Sequence, residues 1–292
     1  MAPAAPFAER LKTCLHQISP AEQRVAQYFL DNREEVLIAS ASTLAQQTGT
    51  SDATVVRTTK ALGFSGMEEL RRMLVEELRE NPSPASRMAR TLSEVGDGLA
   101  SVLDMTLDIH QKSLDDLRRA ITPDNFDSAV HSIVKARRVF IFGLGPSSAM
   151  ADYFKVQLTR FGIEAQSLTQ AGILLADGIQ KFKKGDLLMI FAYGRVYREL
   201  DVLLDQADRA GLARILFSDT LGHRLRDRVD LVMAVARGRT DMLSMHTATL
   251  ALIEALLVGV ARKRPTETIT NLEALNKVRT ALAGKAMGLP AK

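Results

Sequence analysis

Two short stretches hold residue types at spacings from which chemistry can be built. The first is ASTLAQQTGTSDATVVRTTKAL, residues 41–62. Ser42 can cap a short helix reaching about Thr48, Gly49 supplies a permissive turn, and Ser51 can cap a second helix reaching about Leu62. Leu44, Ala45, Val55 and Leu62 then form an inward face, with Ala45 small enough to let the helices cross closely. Helices joined in this way can lay the N-terminal half of the second into a DNA major groove. Its outward positions are expected to be Asp52, Ala53, Thr54, Arg57 and Thr58. Arg57 suits a bidentate contact with guanine, and Thr54 a thymine methyl or base edge. Ser51, Lys60 and Ser65 suit phosphates, which position a protein without reading sequence. The spacing alone fits equally a plain helical hairpin with Arg57 and Lys60 as solvated surface.

The second stretch is VFIFGLGPSS, residues 139–148. A strand ends in Gly143 and Gly145, and a helix opens near Ser148 with Ser147 beside it, an arrangement that suits an anion. A dinucleotide fingerprint would need glycine where Ser148 stands and an acid ending the next strand, whereas Glu164 begins it. A tight turn with a capping serine is the simpler alternative. Ligands of parallel sheets sit outside the strands' C-terminal ends. That rule adds Thr169 and Gln170 after the second strand, and Ser218, Asp219 and Thr220 after the fourth. After the fifth it adds Arg237, Arg239, Ser244 and His246, where an Arg-Gly-Arg beside a helix start suits a carboxylate or phosphate. Each of these is also an ordinary loop residue by type, and His246 fits a buried capping histidine as well.

The elements that must hold these residues follow from periodicity. Residues 1–80 show apolar residues at three and four and no strand alternation. Asn81-Pro82-Ser83-Pro84-Ala85-Ser86 cannot continue a helix and is expected to begin a stiff linker over 81–96. Residues 97–120 and 124–136 read as two more helices. From Arg138 onward, strand-type runs at 139–143, 163–168, 186–193, 213–219 and 230–235 alternate with helical stretches at 148–161, 171–181, 197–210 and 244–262. Such alternation means crossover units and a parallel sheet, and the near-continuous apolar strands mean both faces are covered. The expected division is an all-α domain over 1–80, a linker over 81–96 and a layered α/β domain over 97–283.

Composition narrows the function classes. The chain has 292 residues, 46% hydrophobic and 25% charged, which excludes disorder, collagen and a disulfide scaffold. The apolar stretch TATLALIEALLVGVA carries Glu254 and falls short of the roughly 18 residues a membrane helix needs. MAPAAPFAERLK has no apolar segment after its charges, so no secretory leader and no membrane partner are expected. A single cysteine, Cys14, excludes an internal disulfide and a Cys-cluster metal site, so a cytoplasmic location is expected. Net charge is +4, but residues 1–80 hold nine Lys and Arg against eleven Asp and Glu, while residues 140–292 hold 21 against 15. Bulk charge therefore points away from the helix pair, and only local placement bears on DNA.

ISPAEQRVAQYFLDN followed by STLAQQTGTSDATVVRTTKALGFSGMEELRRML closely resembles the N-terminal domain of the RpiR/MurR family of bacterial transcription regulators. There a Ser-Pro-x-Glu helix start, a leucine-alanine helix, a Ser-x-x-Thr-Val-x-Arg recognition helix and a Gly-Phe-Ser-Gly turn come in this order. The likeness spans 18–78 and implies binding to double-stranded operator DNA at a repeat of half-sites. The second stretch, with AMADYFKVQLTRFGIEA, resembles the sugar isomerase (SIS) domain, the usual partner of that regulator domain. Its Gly-x-Gly-x-Ser loop is matched by Gly143, Gly145 and Ser147, and Arg160-Phe161-Gly162 is close to its Arg-x-Gly.

The resemblance implies an α/β three-layer SIS-like domain with a parallel five-stranded sheet, a phosphosugar ligand, and a homodimer or homotetramer. One loop departs from it. Phosphosugar binders of the family usually carry Ser-x-Ser-Gly-x-Thr after the third strand; here Phe191, Tyr193 and Val196 replace all three hydroxyls around Gly194, leaving Arg195 as a cation. Losing several hydrogen bonds to a charged group, about 1.5–3 kcal/mol each, is hard to absorb. Either Arg195, Arg198 and Tyr193 bind the anion differently, or the effector is an unphosphorylated sugar or acid, the reading preferred. No cofactor, no metal site and no catalytic residue are expected, since no His/Glu pair, Ser-His-Asp set or Lys-bearing phosphate loop is fixed by a motif. The expectation is a regulator sensing a small anionic effector. Its alternatives are a phosphosugar isomerase and an oligomeric DNA-binding protein without a ligand.

Overall fold

The computed structural model describes residues 7–14, 17–80, 83–95, 98–239 and 242–283. The chain separates into two compact units, Met1–Ser86 and Arg87–Lys292. In the first, six helices, α1 (Phe7–Cys14), α2 (Pro20–Asp31), α3 (Arg33–Ile38), α4 (Ala41–Thr48), α5 (Asp52–Ala61) and α6 (Met67–Glu80), surround one apolar centre. Phe7, Val25, Phe29, Leu44, Val55, Leu62 and Leu70 are buried there. Local chemistry sets the helix ends. Ser19 and Glu22 close a capping box on α2, and Pro20 stands where its missing N–H costs nothing. Arg71 donates to the carbonyls of Val36 and Ala39, tying α6 to the end of α3.

The chain passes into the second unit within α7 (Pro84–Glu94), which is followed by α8 (Leu99–Ala120) and α9 (Pro123–Lys135). It continues with β1 (Val139–Gly143), α10 (Pro146–Arg160), β2 (Ala165–Leu168), a 3-10 turn over Gly172–Leu175, α11 (Ala176–Ile179) and β3 (Leu187–Phe191). After these come α12 (Arg198–Ala210), β4 (Ala213–Ser218), α13 (Gly222–Leu225), β5 (Leu231–Ala234), α14 (Thr247–Lys263) and α15 (Pro265–Ala283). All five strands are parallel in the order β2-β1-β3-β4-β5. Every residue of β1 and β3 is buried, as strands covered on both faces must be. Alternate residues divide two apolar layers. Val139, Ile141, Met189 and Phe191 join Phe154 of α10 and Leu256 of α14, while Phe140, Leu188 and Ile190 join Leu200, Leu203 and Leu204 of α12. This is the three-layer α/β architecture expected. No helix of the described residues is long and apolar enough to cross a membrane.

The expected linker is corrected. Most of 81–96 is the helix α7, because Ser83 accepts from the Ser86 amide as a cap and Pro84 takes the first helical position, where proline starts helices rather than breaking them. The unit boundary at Ser86 falls inside the first turn of α7. The helix expected over 171–181 is a 3-10 turn and one short helix, with Gly172 at φ +61°.

Gly143 is fixed by space: a Cβ there would lie 2.5 Å from the Ser147 carbonyl oxygen at the start of α10. Gly143→Ala should cost about 1–3 kcal/mol, lowering the thermal midpoint by roughly 2–4 °C for each. Gly66→Ala, with nothing within 4 Å of its added carbon, is the control. Thermal unfolding of the full chain checks both, and equal midpoints would overturn the assignment.

Candidate functional site

In the helical unit, α4 and α5 pack together through a turn at Gly49, whose φ of +61° closes α4 while the Thr50 amide bonds the Ala45 carbonyl. Ser40, rather than the expected Ser42, caps α4. Ser51 caps α5 as anticipated. Five of the ten residues of α5 are β-branched, and their burial decides which side faces out. Ser51, Asp52, Ala53, Val56, Arg57, Lys60 and Ala61 are exposed.

Thr54 and Thr58 are corrected, because both are buried. The Thr58 hydroxyl donates back to the Thr54 carbonyl at 2.8 Å. The Thr54 hydroxyl lies 3.0 Å from Ser51 Oγ and accepts from Arg57 Nη2 at 3.3 Å, so it positions Arg57 instead of meeting a base. Ser65 is also committed: its amide and hydroxyl both donate to Glu69 at 2.7 Å, placing a carboxylate where a phosphate was expected. Those bonds hold the Glu69 carboxyl below its usual range. Ser19 does the same to Glu22, with Arg57 adding a smaller attraction. Val56 was missed. It is 39% exposed, and its position beside Arg57 was the available signal.

In the α/β unit, the strand order puts a switch point between β1 and β3, whose chains leave in opposite directions. Gly143, Gly145 and Ser147 lie at the end of β1 and Tyr193, Gly194 and Arg195 at the end of β3, flanking that switch point. Next along the same edge come Ser218 and Asp219, then Arg237, Arg239 and His246, with Thr169 at the far end after β2.

Four of these form one cluster. Arg237 Nε meets Asp219 Oδ2 at 3.1 Å, and its guanidinium lies 4.2 Å over the Tyr193 ring. Tyr193 packs edge-on to His246 with centroids 5.8 Å apart. Thr249, which sequence reasoning missed, shares a 3.0 Å hydrogen bond with the Tyr193 hydroxyl. Burial pushes the Tyr193 phenol far up, so it stays neutral. Burial, with help from the Arg237 charge and against Asp219, pushes the His246 imidazole down. His246 Nδ1 is buried without a hydrogen-bond partner among the described residues. An unpaired polar atom there is what a ligand would satisfy.

Tyr193 is only 7% exposed and its hydroxyl is shared with Thr249, so it fills the loop's interior. The remaining expected residues stand apart, and Phe191 packs at a tilt against Phe217 in the core, ring centroids 4.7 Å apart. Arg195 stacks on Tyr197 at 4.6 Å. Ser147 is buried in the first turn of α10, and Ser148 donates to the Gly145 carbonyl. Ser218 is spent accepting the Leu221 amide. Arg239 pairs with Glu94 at 2.7 Å. A cavity of about 230 Å³ opens elsewhere, beside edge strand β2 between Gln166, Leu168, Leu174 and Lys181, and of the expected ligand residues Gln170 lines it. Among the described residues no His, Cys, Asp and Glu group could hold a metal ion.

Residues 6–81 match the helix-turn-helix domain of the rpiR family, and residues 132–259 match the SIS domain. Over 261 residues the chain is 27% identical to the HTH-type transcriptional regulator HexR of Pseudomonas aeruginosa, covering 88% of this chain and 89% of that protein. The Vibrio vulnificus NanR protein complexed with ManNAc-6P shares the fold over 94% of this chain and 98% of that one, with a TM-score of 0.56 and 20% identity. The sugar isomerase domain of an RpiR transcription factor from Sphaerobacter thermophilus does so over 60% and 97%, with a TM-score of 0.55 and 21% identity.

The His246 shift has a pH consequence. The unfolded chain protonates this imidazole near 6.5, and the folded chain only at lower pH. Stability is untouched by it above about pH 7 and falls as pH drops through about 6.5 toward the folded value, because only the unfolded state then gains a proton. Thermal midpoints of the wild type should decline between about pH 7.5 and 5.5, and those of His246→Gln should decline less. Parallel slopes would show that the imidazole is not shifted.

Proposed function

We propose, on the premise that this chain joins the helix-turn-helix domain of the rpiR family to a SIS domain, that it is a DNA-binding transcriptional regulator whose α/β unit senses a small anionic metabolite. For DNA, the supporting observation is the exposed stripe of α5, on which Arg57 is braced through Thr54 to the cap Ser51. That bracing holds a fork-shaped donor where a guanine edge would meet it, and the exposed Val56 suits a thymine methyl. Ser51 and Lys60 flank them as phosphate contacts.

For the effector, the supporting observation is the Tyr193–Arg237–Asp219–His246 cluster at the ligand edge of the sheet, with one imidazole nitrogen unsatisfied. NanR, which shares the fold, is known in complex with ManNAc-6P, which supports an anionic carbohydrate derivative as the ligand class. In this chain the loop hydroxyls are gone and Arg237 already faces Asp219, so the anion is assigned to Arg195, Arg198 and Ser147, with Arg239 joining them once released from Glu94. The reading is of a sensor, not a catalyst, acting in the cytoplasm without a cofactor. Exposed apolar side chains on α8 (Leu99, Leu103, Leu107) and α15 (Ile269, Val278, Leu282) support a homodimer or homotetramer. The effector acts by favouring one arrangement of the DNA-binding units, which requires unequal affinity for the two.

Two experiments test this. A duplex selected by the full-length protein from a random pool should bind Arg57→Ala with about 1–3 kcal/mol less discrimination at one base pair. Lys60→Ala should instead weaken all sequences and lower the salt slope by about one. Failure to select any duplex sinks the DNA reading. In a thermal-shift panel of sugar phosphates, unphosphorylated sugars and small carboxylates, a compound at a hundred times its Kd should stabilise by about 2.7 kcal/mol. Ser147→Ala and Arg195→Ala should abolish that shift for a phosphosugar. A response confined to unphosphorylated acids means a different ligand class, silence means an oligomeric DNA-binding protein without ligand, and turnover of a sugar phosphate means an isomerase.

A further inference from the structure

The last loop of the sheet, between β5 and α14, reaches two places. On one side Arg237 and His246 belong to the edge cluster. On the other the loop grips α7. The Leu243 amide donates to Thr91 Oγ1 at 2.8 Å, Arg87 Nη1 donates to Ser244 Oγ at 2.6 Å, and Arg239 Nη1 meets Glu94 Oε2 at 2.7 Å. Residues 87, 91 and 94 fall on one stripe of the helix.

On that stripe Thr91 is buried and Arg87 half-buried. Thr91 is 7% exposed, and Met242 of the loop is 1% exposed, while the large apolar side chains of the helix, Met88 and Leu92, are 39% and 66% exposed. The contacts that tie this stripe to the loop are polar. Such contacts depend on geometry and charge, so a competing charge can undo them. The loop is also knitted to itself: the Met245 amide bonds the Arg237 carbonyl, the Met242 amide bonds the Arg239 carbonyl, and Gly238 turns between the two arginines at φ +84°. A shift of Arg237 is thereby carried to Arg239. Only three residues separate α6 of the helical unit from α7.

We propose that α7 is a latch controlled by the effector loop. An anion at the sheet edge draws Arg239 away from Glu94, the loop shifts, and α7 loses the contacts that fix the tether of the DNA-binding unit. The inference rests on the reading of this loop as part of the effector site.

Hydrogen exchange of the full-length protein tests it. Thr91→Val should make the Leu243 amide exchange a few-fold to about tenfold faster, since it removes the acceptor. Ser244→Ala should loosen amides 88–95 of α7, because coupling between two elements is reciprocal. Unchanged β3 exchange shows that the unit is still folded. If neither variant disturbs the opposite element, the latch is refuted. On the selected duplex, Thr91→Val and Glu94→Gln should change Kd about fivefold or more although α5 is untouched; an unchanged Kd beside a loosened loop refutes its role as output. A panel compound that raises the melting temperature without altering exchange in α7 also overturns the proposal. Silence of the whole panel would count against the sensing role instead, leaving the latch to be decided by the exchange of the variants.

Discussion

A parallel sheet must carry its chain back across one of its faces after every strand, and that requirement places all five strand-to-helix connections on the same edge. Everything that could recognise a ligand in the α/β unit depends on it. Asp219, Arg237, Tyr193 and His246 come from three different connections, and no local sequence signal joins them. They meet because β3, β4 and β5 are neighbours in register. The wholly apolar β1 and β3 give the sheet no alternative to being covered on both faces, and the covering helices then set where each connection can run.

Much of this was legible in the residues. The alternation of short apolar runs with helical stretches predicted five parallel strands, and the glycine turn closes β1 where it was expected. Ser51 as a cap and Arg57 as an outward cation followed from spacing alone. The failures have physical causes. Thr54 and Thr58 are polar by type, yet a threonine can satisfy its hydroxyl by bonding within its own helix and so be buried without penalty. The run around Pro82 and Pro84 looked like a linker because proline ends helices, whereas after a capping serine it begins one. Ser65 was legible as a donor but not as one already committed, since Glu69 reaches it only once α6 has turned back.

Charge illustrates how composition misleads when it is not placed. Among the described residues, several arginines of the basic half face carboxylates. Arg237 faces Asp219, Arg239 faces Glu94, Arg228 faces Asp201 and Asp205, and Arg214 faces Asp208 and Asp230. Pairs of this kind contribute little stability at the surface, but they set geometry and lower the field that would otherwise draw polyanions unselectively. The helical unit is acidic on balance and still presents Arg57 and Lys60 together on one exposed face.

The β-branched content of α5 bears on how separable that helix is. Thr54, Val55, Val56, Thr58 and Thr59 have poor intrinsic helix propensity, so this segment is helical because α2 and α4 pack against it and Ser51 caps it. Its shape belongs to the whole six-helix unit. A synthetic peptide of the same ten residues would carry every outward side chain and lack the frame that aims them, which makes the domain, and not the helix, the smallest portable reader of a base sequence.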